Sequence, residues 1–303
     1  MPADDLLAAV DLGSNSFRLE IARRKGGRLE RVQYHKETVR QGAGLDADGR
    51  LSPGAMQRGW DCLARFARHL AGFAPRQVRA VATQTLREAC NRADFLLPAQ
   101  RILGFPIEVI TGHEEARLIY LGAAELLPPA SERRLVLDIG GRSTELIIGS
   151  GATPRDMRSC PLGSVSWSLR YFPHGQLAAS NFERAVNAAK AALAAAAHTH
   201  GPAHWDAAYG CSGTVGAIAD ALHAAGRARA RHIIDCASLP WLRQQLIDAQ
   251  NFDAINLPGI KPDRKPVMAG GLSVLCALSE LLQIGQLRYA YGALRRGVMC
   301  EMR

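Results

Sequence analysis

The sequence predicts an α/β protein of two domains that share one β-hairpin design. Its 303 residues, 48% of them hydrophobic, exceed the size at which a single core usually keeps growing. Apolar strand-like runs alternate with helical periodicity in both halves of the chain. One pattern also occurs twice, because VDLGSNSFRLEI at 10–21 and VLDIGGRSTELIIG at 136–149 each place an aspartate before a glycine turn.

The first half begins as an antiparallel meander. Strands are predicted at LLAAVDLG, FRLEIARR and LERVQYHKETV, with Gly26 and Gly27 as a hairpin turn. A helix begins at Ser52 and Pro53, because apolar residues then recur at helical spacing up to Gly72. The further elements are a strand at 78–83, a helix near 92–103, a strand at 107–110 and a helix at 114–127.

After a linker at Pro128 and Pro129, the strand and turn pattern begins again. RLVLDIG and ELIIG are predicted strands, and a capping box of Ser180 and Glu183 is predicted to open an alanine-rich helix over 181–199. A strand, a glycine-rich turn and a helix are then predicted in the segment WDAAYGCSGTVGAIADAL. The domains are therefore placed at 1–127 and 128–303, and whether the last helix packs back on the first domain is left open.

The repeat aligns without a gap and predicts a shared chemistry. Asp11 matches Asp138, Gly13 matches Gly140, and Ser16 matches Ser143. A tight glycine turn lets backbone N–H groups converge on phosphate oxygens. An aspartate beside such a turn can hold a hydrated Mg²⁺, whereas for either turn alone a local aspartate cap is an equally good interpretation.

Two further segments carry candidate site residues. Glu114 and Glu115 of TGHEEARLIYLG lie in the first turn of a helix, where carboxylates either complement the helix dipole or orient a water for attack on phosphorus. GCSGTVG at 210–216 is a glycine-rich junction whose helix N-terminus can receive an anion, so Gly213 and Thr214 are candidate phosphate-binding residues.

Composition narrows the class of protein. The formal net charge is +9, from 37 Lys and Arg against 28 Asp and Glu, which favours anionic partners. The seven cysteines are scattered without ligand-like spacing, which is typical of a reduced, cytoplasmic protein. We expect no secretion signal, no membrane span and no nucleic-acid tail; the apolar run at 267–282 is interpreted as a buried helix.

The motifs together resemble one family, the exopolyphosphatase and guanosine pentaphosphate phosphatase (Ppx/GppA) family. The matching segments are VDLGSNSFRL, ATQTLREACN, VITGHEEARLIYLG, LVLDIGGRSTELIIG, PLGSVS and GCSGTV, in family order. The resemblance implies two ribonuclease-H-like domains of the actin, sugar kinase and heat-shock ATPase superfamily, with the active site in an interdomain cleft. It also implies removal of a terminal phosphate with a divalent cation, Mg²⁺ or Mn²⁺, and K⁺ as a further candidate.

The resemblance also assigns roles to residues. Glu115 is the implied general base, and Arg87 supplies a fixed cation whose planar fork suits phosphate. Asp138 and Glu145 are the implied cation ligands, with Asp11 as a further candidate. The implied phosphate cradle consists of Gly13, Ser14, Asn15, Ser16, Gly140, Gly141 and Ser143.

Two features depart from the family pattern. Arg142 stands where the family usually has a third glycine, so it either obstructs the turn, if positive φ is required there, or reaches the phosphates as an added cation. We favour the second interpretation. The sequence stops at residue 303 without the helical C-terminal domains of long family members, so we expect the cleft and its basic surroundings to hold the substrate.

The resulting hypothesis is a short exopolyphosphatase that releases terminal phosphate from inorganic polyphosphate. The first alternative is a guanosine pentaphosphate 5′-phosphohydrolase, since both substrates present a terminal phosphate. Further alternatives are a kinase or ATPase of the same fold and a non-catalytic sensor of alarmones or polyphosphate. Guanosine tetraphosphate is an expected ligand or inhibitor, and the family implies a homodimer.

Overall fold

The computed structural model describes residues 6–302 and divides into two compact units. The first unit contains the described residues up to Glu125 and those from Gly292 onward, and the second contains Leu126–Tyr291. The unit boundary lies two residues before the predicted boundary at 127/128, and the last helix belongs to the first unit.

The described residues form eleven strands and ten α-helices. The strands are β1 (Leu6–Leu12), β2 (Phe17–Lys25), β3 (Arg28–Glu37), β4 (Val78–Ala82), β5 (Ile107–Val109), β6 (Arg133–Ile139), β7 (Thr144–Ser150), β8 (Thr153–Cys160), β9 (Ala207–Gly210), β10 (Ile233–Asp235) and β11 (Gln286–Tyr289). The helices are α1 (Pro53–His69), α2 (Gln84–Glu88), α3 (Arg92–Leu103), α4 (Gly112–Leu126), α5 (Ser164–Tyr171), α6 (Ala179–His200), α7 (Gly213–Ala224), α8 (Leu239–Ala249), α9 (Lys265–Leu281) and α10 (Leu294–Glu301).

The first unit is built on a five-stranded sheet of order β3-β2-β1-β4-β5. The first three strands form the predicted antiparallel meander, and β4 and β5 run parallel to β1. Gly26 and Gly27 make the hairpin turn between β2 and β3 with φ of 56° and 80°, a region in which residues with a Cβ are strained. Because β1, β4 and β5 are parallel, their carboxyl ends meet at one edge of the sheet.

The second unit has a six-stranded sheet of order β10-β11-β9-β6-β7-β8. It repeats the antiparallel meander in β6, β7 and β8, and β9 runs parallel to both β6 and β11. Helix α9 is buried over 267–278, which confirms the interpretation of that apolar run as a core helix. Within residues 6–302, no helix is long and apolar enough to cross a bilayer.

A local signal marks the start of α1, but the predicted start of α6 is wrong. The Ser52 hydroxyl caps α1 by accepting from Ala55 N, with Pro53 in the first helical position. The predicted capping box at Ser180 does not exist: α6 begins at Ala179, its N-cap is Ala178, and Ser180 lies inside the helix. The helix starts two residues before its predicted start at 181, because Asn181 N and Phe182 N already donate to Ala178 O.

The repeat seen in the sequence is present in the strand register. Asp11 of β1 lies opposite Arg18 of β2, and Asp138 of β6 lies opposite Glu145 of β7. In both hairpins the paired residues are seven positions apart, so the two glycine turns have the same length and start. The repeated backbone design therefore carries different partners for its aspartate.

Helix α10 packs against α4 through glycines. A Cβ on Gly297 would overlap the Leu118 carbonyl oxygen, and one on Gly122 would overlap the Ala293 carbonyl oxygen. Arginines of α10 also reach a fully buried carboxylate in β2, since Arg295 Nε lies 3.2 Å from Glu20. Close backbone approach and ion pairing together hold this helix on the first unit.

We predict that Gly297→Ala lowers the free energy of unfolding by about 2 kcal/mol or more, because the added methyl must displace backbone. Urea denaturation measures the change. Gly54→Ala is the matched control: Gly54 is also helical, but its Cβ would meet only a flexible arginine at 3.7 Å. That control should be neutral or stabilising by up to about 1 kcal/mol. Equal stability of the Gly297→Ala variant and the parent would contradict the packing argument.

Candidate active site

The first glycine turn, at 13–16, follows β1 at the carboxyl edge of the first sheet. A Cβ on Gly13 would lie 3.0 Å from the Ser16 carbonyl oxygen, so the turn is tight enough to favour glycine without a positive φ. The segment after β3 is bonded to this turn, because Arg40 N donates to Asn15 O and Gly42 N donates to Ser14 O. The backbone carbonyls of the turn are therefore fixed.

Several polar side-chain atoms around this turn are buried without a hydrogen-bond partner among the described residues. They are Asn15 Nδ2, Ser16 Oγ and both amide atoms of Gln41. Asn15 and Ser16 are predicted phosphate-binding residues; Gln41 is wholly buried and was not predicted. Nothing in its sequence context distinguishes it, since its burial depends on the pairing of 40–42 with the turn.

Glu115, the predicted general base, is in contact with Arg87, the predicted fixed positive charge. Arg87, in α2, donates from Nη1 to Glu115 Oε2 at 2.7 Å and to Ile110 O at 3.0 Å, and its other N–H groups contact Gln84 Oε1. Glu115 is 7% exposed, in the first turn of α4. The guanidinium fork is thus engaged mainly with protein acceptors, and Arg87 fixes the orientation of Glu115.

Its neighbour Glu114 has a different environment. Arg117 donates to both Glu114 carboxylate oxygens at 2.8 Å, and this contact lowers the pKa of Glu114. Glu114 N in turn donates to Thr111 Oγ1, and α4 begins at Gly112, two residues before the predicted start at 114. The structure therefore separates the two glutamates: Glu114 belongs to surface ion pairs, and Glu115 to the buried edge.

α2 ties the same edge together. Thr85 Oγ1 donates to Ser14 Oγ at 2.7 Å, so the helix that carries Arg87 is also bonded to the glycine turn. The structure thus brings Asp11, the turn at 13–16, Arg87 and Glu115 to one edge of the first sheet. Thr85 was not singled out in the sequence, although it lies within the TLREA motif.

Asp11 accepts from two arginines. Its Oδ2 lies 3.1 Å from Arg18 Nη1, across the hairpin, and 3.2 Å from Arg295 Nη1 of α10. The Asp11 side chain is only 5% exposed, so both contacts form in a poorly solvated place where charge pairing is strong. The predicted role of Asp11 as a cation ligand would require it to release these arginines.

The second unit places two carboxylates where the first places an ion pair. Asp138 and Glu145 are directly opposite in the register, so their side chains share one face of the sheet. Glu145 accepts from Ser159 Oγ at 2.8 Å, and the Cys211 thiol lies 3.7 Å from Asp138 Oδ2. Burial, followed by the nearby Asp138 charge, raises the pKa of Cys211 well above its usual value, so the thiol is protonated.

The second glycine turn is braced by the PLGSVS segment. Ser164 donates to Gly140 O from both its backbone N (2.9 Å) and its hydroxyl (3.0 Å), and Val165 N donates to Gly141 O. A Cβ on Gly140 would lie 3.0 Å from Ser143 O, the same distance as in the first turn. Arg142 is not among the residues with positive φ, so an arginine is accommodated here without backbone strain.

The GCSGTVG junction forms the start of α7. The Ser212 hydroxyl accepts from Thr214 N and Val215 N, so Thr214, a predicted phosphate-binding residue, has its backbone donor engaged in the cap. Gly213 faces a buried arginine that the sequence analysis missed, since a Cβ there would overlap the Arg264 guanidinium. Arg264 lies far along the chain, in a segment without a recognisable motif.

The two carboxylates fit a hydrated divalent cation. Mg²⁺ in proteins is commonly bound through one or two carboxylates plus waters and substrate phosphates, and like charges opposite each other on a sheet favour a cation between them. Among residues 6–302 there is no cluster of three or more His, Cys, Asp or Glu side chains that could hold a metal ion by themselves. Any cation here would therefore complete its shell with water or substrate oxygens.

Each unit thus presents a glycine turn and carboxylates at the carboxyl edge of a sheet that begins with an antiparallel meander. This is the ribonuclease-H-like class of α/β fold, as the sequence predicts. The chain matches the Ppx/GppA phosphatase family over residues 20–303. It belongs to that family.

Individual relatives support this assignment. Proteins of Vibrio atlanticus and Vibrio vulnificus named guanosine-5′-triphosphate,3′-diphosphate pyrophosphatase are 42% and 43% identical over 98% of this chain. The chain spans 59% of the length of each. A Ppx/GppA family structure from Aquifex aeolicus is 25% identical with a TM-score of 0.75, covering 97% of this chain and 96% of that one. An exopolyphosphatase structure from Cytophaga hutchinsonii, 23% identical with the same coverage, has a TM-score of 0.87 and supports the fold.

We predict that Gln41→Leu raises the free energy of unfolding by about 1–2 kcal/mol, because it removes a buried amide that has no hydrogen-bond partner in the described part of the chain. Urea denaturation is the measurement. Gln77→Leu is the control, since that buried amide accepts from Ala74 N at 2.8 Å and donates to Leu6 O at 3.0 Å. In this control the free energy of unfolding should fall by about 1–3 kcal/mol. A comparable loss for Gln41→Leu would show that its amide is satisfied.

Proposed function

We propose that this chain hydrolyses the terminal 5′ phosphate of guanosine 5′-triphosphate,3′-diphosphate. The observation that carries the substrate is the 42–43% identity, over nearly the whole chain, to proteins named for action on that nucleotide. It favours the first alternative from the sequence over inorganic polyphosphate. Polyphosphate as a substrate, the homodimer, K⁺ and a cytoplasmic location stay predictions.

The first glycine turn supports phosphate binding. Its backbone is held on both sides by Arg40 and Gly42, so it is pre-organised. Asn15 Nδ2 and Ser16 Oγ are buried donors without an acceptor among the described residues. A buried donor without an acceptor is costly, and a phosphate oxygen would supply one. We infer that these atoms bind phosphate oxygens when the turn receives substrate.

Glu115 is the proposed general base. Arg87 holds one of its oxygens at 2.7 Å, which fixes the carboxylate at the edge where the glycine turn also lies. A carboxylate fixed in this way can orient a water molecule and accept its proton as the water attacks phosphorus. In this proposal Arg87 acts through Glu115 as a positioning residue, while its predicted direct contact with phosphate stays a prediction.

Asp138 and Glu145 are the proposed ligands of Mg²⁺ or Mn²⁺. A divalent cation would neutralise charge on the oxygens of the terminal phosphate and on the nucleotide 5′-diphosphate that is the leaving group. Gly141 and Ser143 follow Asp138 in the braced turn and would hold phosphate oxygens through their backbone N–H groups. The predicted contribution of Gly140 is to the tightness of the turn, because its own N–H donates to Ser143 O at 2.9 Å. Gly213 offers a further anion position at the start of α7, next to Arg264, while Thr214, whose backbone N–H is engaged in the cap, would have only its hydroxyl to offer.

A phosphate-release assay tests the proposal. Guanosine 5′-triphosphate,3′-diphosphate and inorganic tripolyphosphate are compared with the same chain and Mg²⁺ or Mn²⁺, without any acceptor molecule. A higher kcat/KM for the nucleotide supports the proposal. A higher kcat/KM for tripolyphosphate would favour the exopolyphosphatase hypothesis instead. Binding of the nucleotide without release of phosphate would indicate a sensor.

We predict that Glu115→Gln reduces kcat at least about a hundredfold, the scale of lost general-base catalysis, while substrate affinity changes little. Steady-state phosphate release and equilibrium binding measure the two effects. Glu114→Gln provides the control: it is the same change one residue away, in a partly exposed ion pair with Arg117. Exposed pairs of this kind contribute about 0–1 kcal/mol. Near-normal turnover of Glu115→Gln, or an equal loss in both variants, would remove Glu115 from the proposed role.

Arg142→Gly tests the departure from the family pattern. Because Arg142 is unstrained, we expect its side chain to assist phosphate binding, and its loss to lower kcat/KM about tenfold or more. Arg142→Lys keeps the charge without the planar fork, so its kcat/KM should lie between that of the parent and that of the glycine variant. Faster turnover by the glycine variant would mean that arginine obstructs the turn.

A further inference from the structure

An exposed aromatic cluster follows β11 in the second unit. It consists of Tyr289, Tyr291 and His232, and we call it the aromatic cluster. The Tyr291 ring lies 5.0 Å from the ring of Tyr289 and 5.0 Å from that of His232, with interplanar angles of 78° and 74°. Its hydroxyl is 2.9 Å from His232 Nδ1. Tyr291 is therefore held in place by two neighbouring rings although it is 55% exposed.

The cluster lies at the same sheet edge as the proposed cation ligands. Tyr289 pairs with Gly210 of β9, and Gly210 pairs with Leu137 of β6, one residue before Asp138. All three strands are parallel, so their carboxyl ends are aligned. Neighbouring strands lie about 4.8 Å apart, which puts two strand spacings, about 10 Å, between β6 and β11 along this edge.

The cluster also touches the glycine-rich junction between these strands. A Cβ on Gly216, in α7, would lie 3.1 Å from Tyr289 Cζ, so the Tyr289 ring lies against the helix that begins at Gly213. Tyr291 packs on the outer side of Tyr289. The order along the edge is carboxylate, glycine-rich turn and exposed aromatic ring.

We propose that Tyr291 is the stacking surface for the purine base of the nucleotide substrate. This rests on the proposed function and specifies how the same site recognises its substrate. A guanosine polyphosphate differs from inorganic polyphosphate by its nucleoside, so selectivity requires a contact with base or sugar. A fixed, half-exposed tyrosine offers a flat apolar face for a base, and the two strand spacings leave room for ribose and phosphates.

Tyr289 and His232 act as positioning residues for this surface. Both rings lie nearly perpendicular to the Tyr291 ring and 5.0 Å from it, and Tyr291 stays 55% exposed between these contacts. A side chain already ordered in the absence of ligand loses little conformational entropy on binding. Stacking reads a flat ring rather than a hydrogen-bond pattern, so the adenosine analogue of the nucleotide should bind comparably.

The test compares Tyr291→Ala with Tyr291→Phe by isothermal titration calorimetry. The ligands are guanosine 5′-triphosphate,3′-diphosphate and inorganic tripolyphosphate. We expect Tyr291→Ala to raise the Kd of the nucleotide about tenfold or more and to leave that of tripolyphosphate within about twofold. Tyr291→Phe keeps the ring and should bind both ligands within about threefold of the parent.

The outcomes separate this inference from the hydrolase proposal. Equal weakening of both ligands by Tyr291→Ala, or no weakening of either, overturns the stacking role even if the parent releases phosphate. Selective loss of nucleotide binding supports stacking even if no phosphate is released, in which case the hydrolase proposal alone fails. His232→Ala is a second test. It removes only a ring that orients Tyr291, so we expect a smaller loss of affinity than in Tyr291→Ala, and only for the nucleotide.

Discussion

The residue opposite each hairpin aspartate determines the charge at the two glycine turns. Both hairpins use the same register, yet Asp11 faces Arg18 while Asp138 faces Glu145. In the first unit the aspartate is neutralised by arginines, so the turn beside it is suited to anions. In the second unit two carboxylates share a face, so that edge is suited to a cation. The same backbone design therefore carries opposite charge in the two units.

Placement of these groups depends on parallel strands. In each sheet the aspartate-bearing strand is followed in space by parallel strands whose carboxyl ends carry the remaining candidates: α2 and Glu115 in the first unit, α7 and the aromatic cluster in the second. Strand spacing therefore fixes the separations between groups. The meander on the other side of each aspartate contributes stability and the cross-strand partner.

Rigidity and unsatisfied polarity coexist at the first turn. Its carbonyls are bonded to the segment after β3, whereas Asn15, Ser16 and Gln41 keep buried polar atoms that have no hydrogen-bond partner within residues 6–302. Such atoms lower the stability of the free protein. A bound phosphate would satisfy the donors of this turn, so its binding would recover the stability that they cost in the free protein. Such a compromise between stability and binding is common. Gln41 shows that a residue outside any motif can belong to this balance.

Periodicity and turn chemistry in the sequence determined both meanders, the buried α9 and the candidate turns, because these depend on residues close together in the chain. The family motifs located Glu115, Asp138 and Glu145. The tertiary structure determined which other residues each of these site residues contacts. The contacts of Asp11 with Arg295, Gly213 with Arg264, and Tyr291 with His232 join residues far apart in sequence, and no local pattern encodes them. The Ser180 capping box was wrong because the backbone is already helical before it: Asn181 N and Phe182 N donate to Ala178 O, so Ser180 lies inside α6.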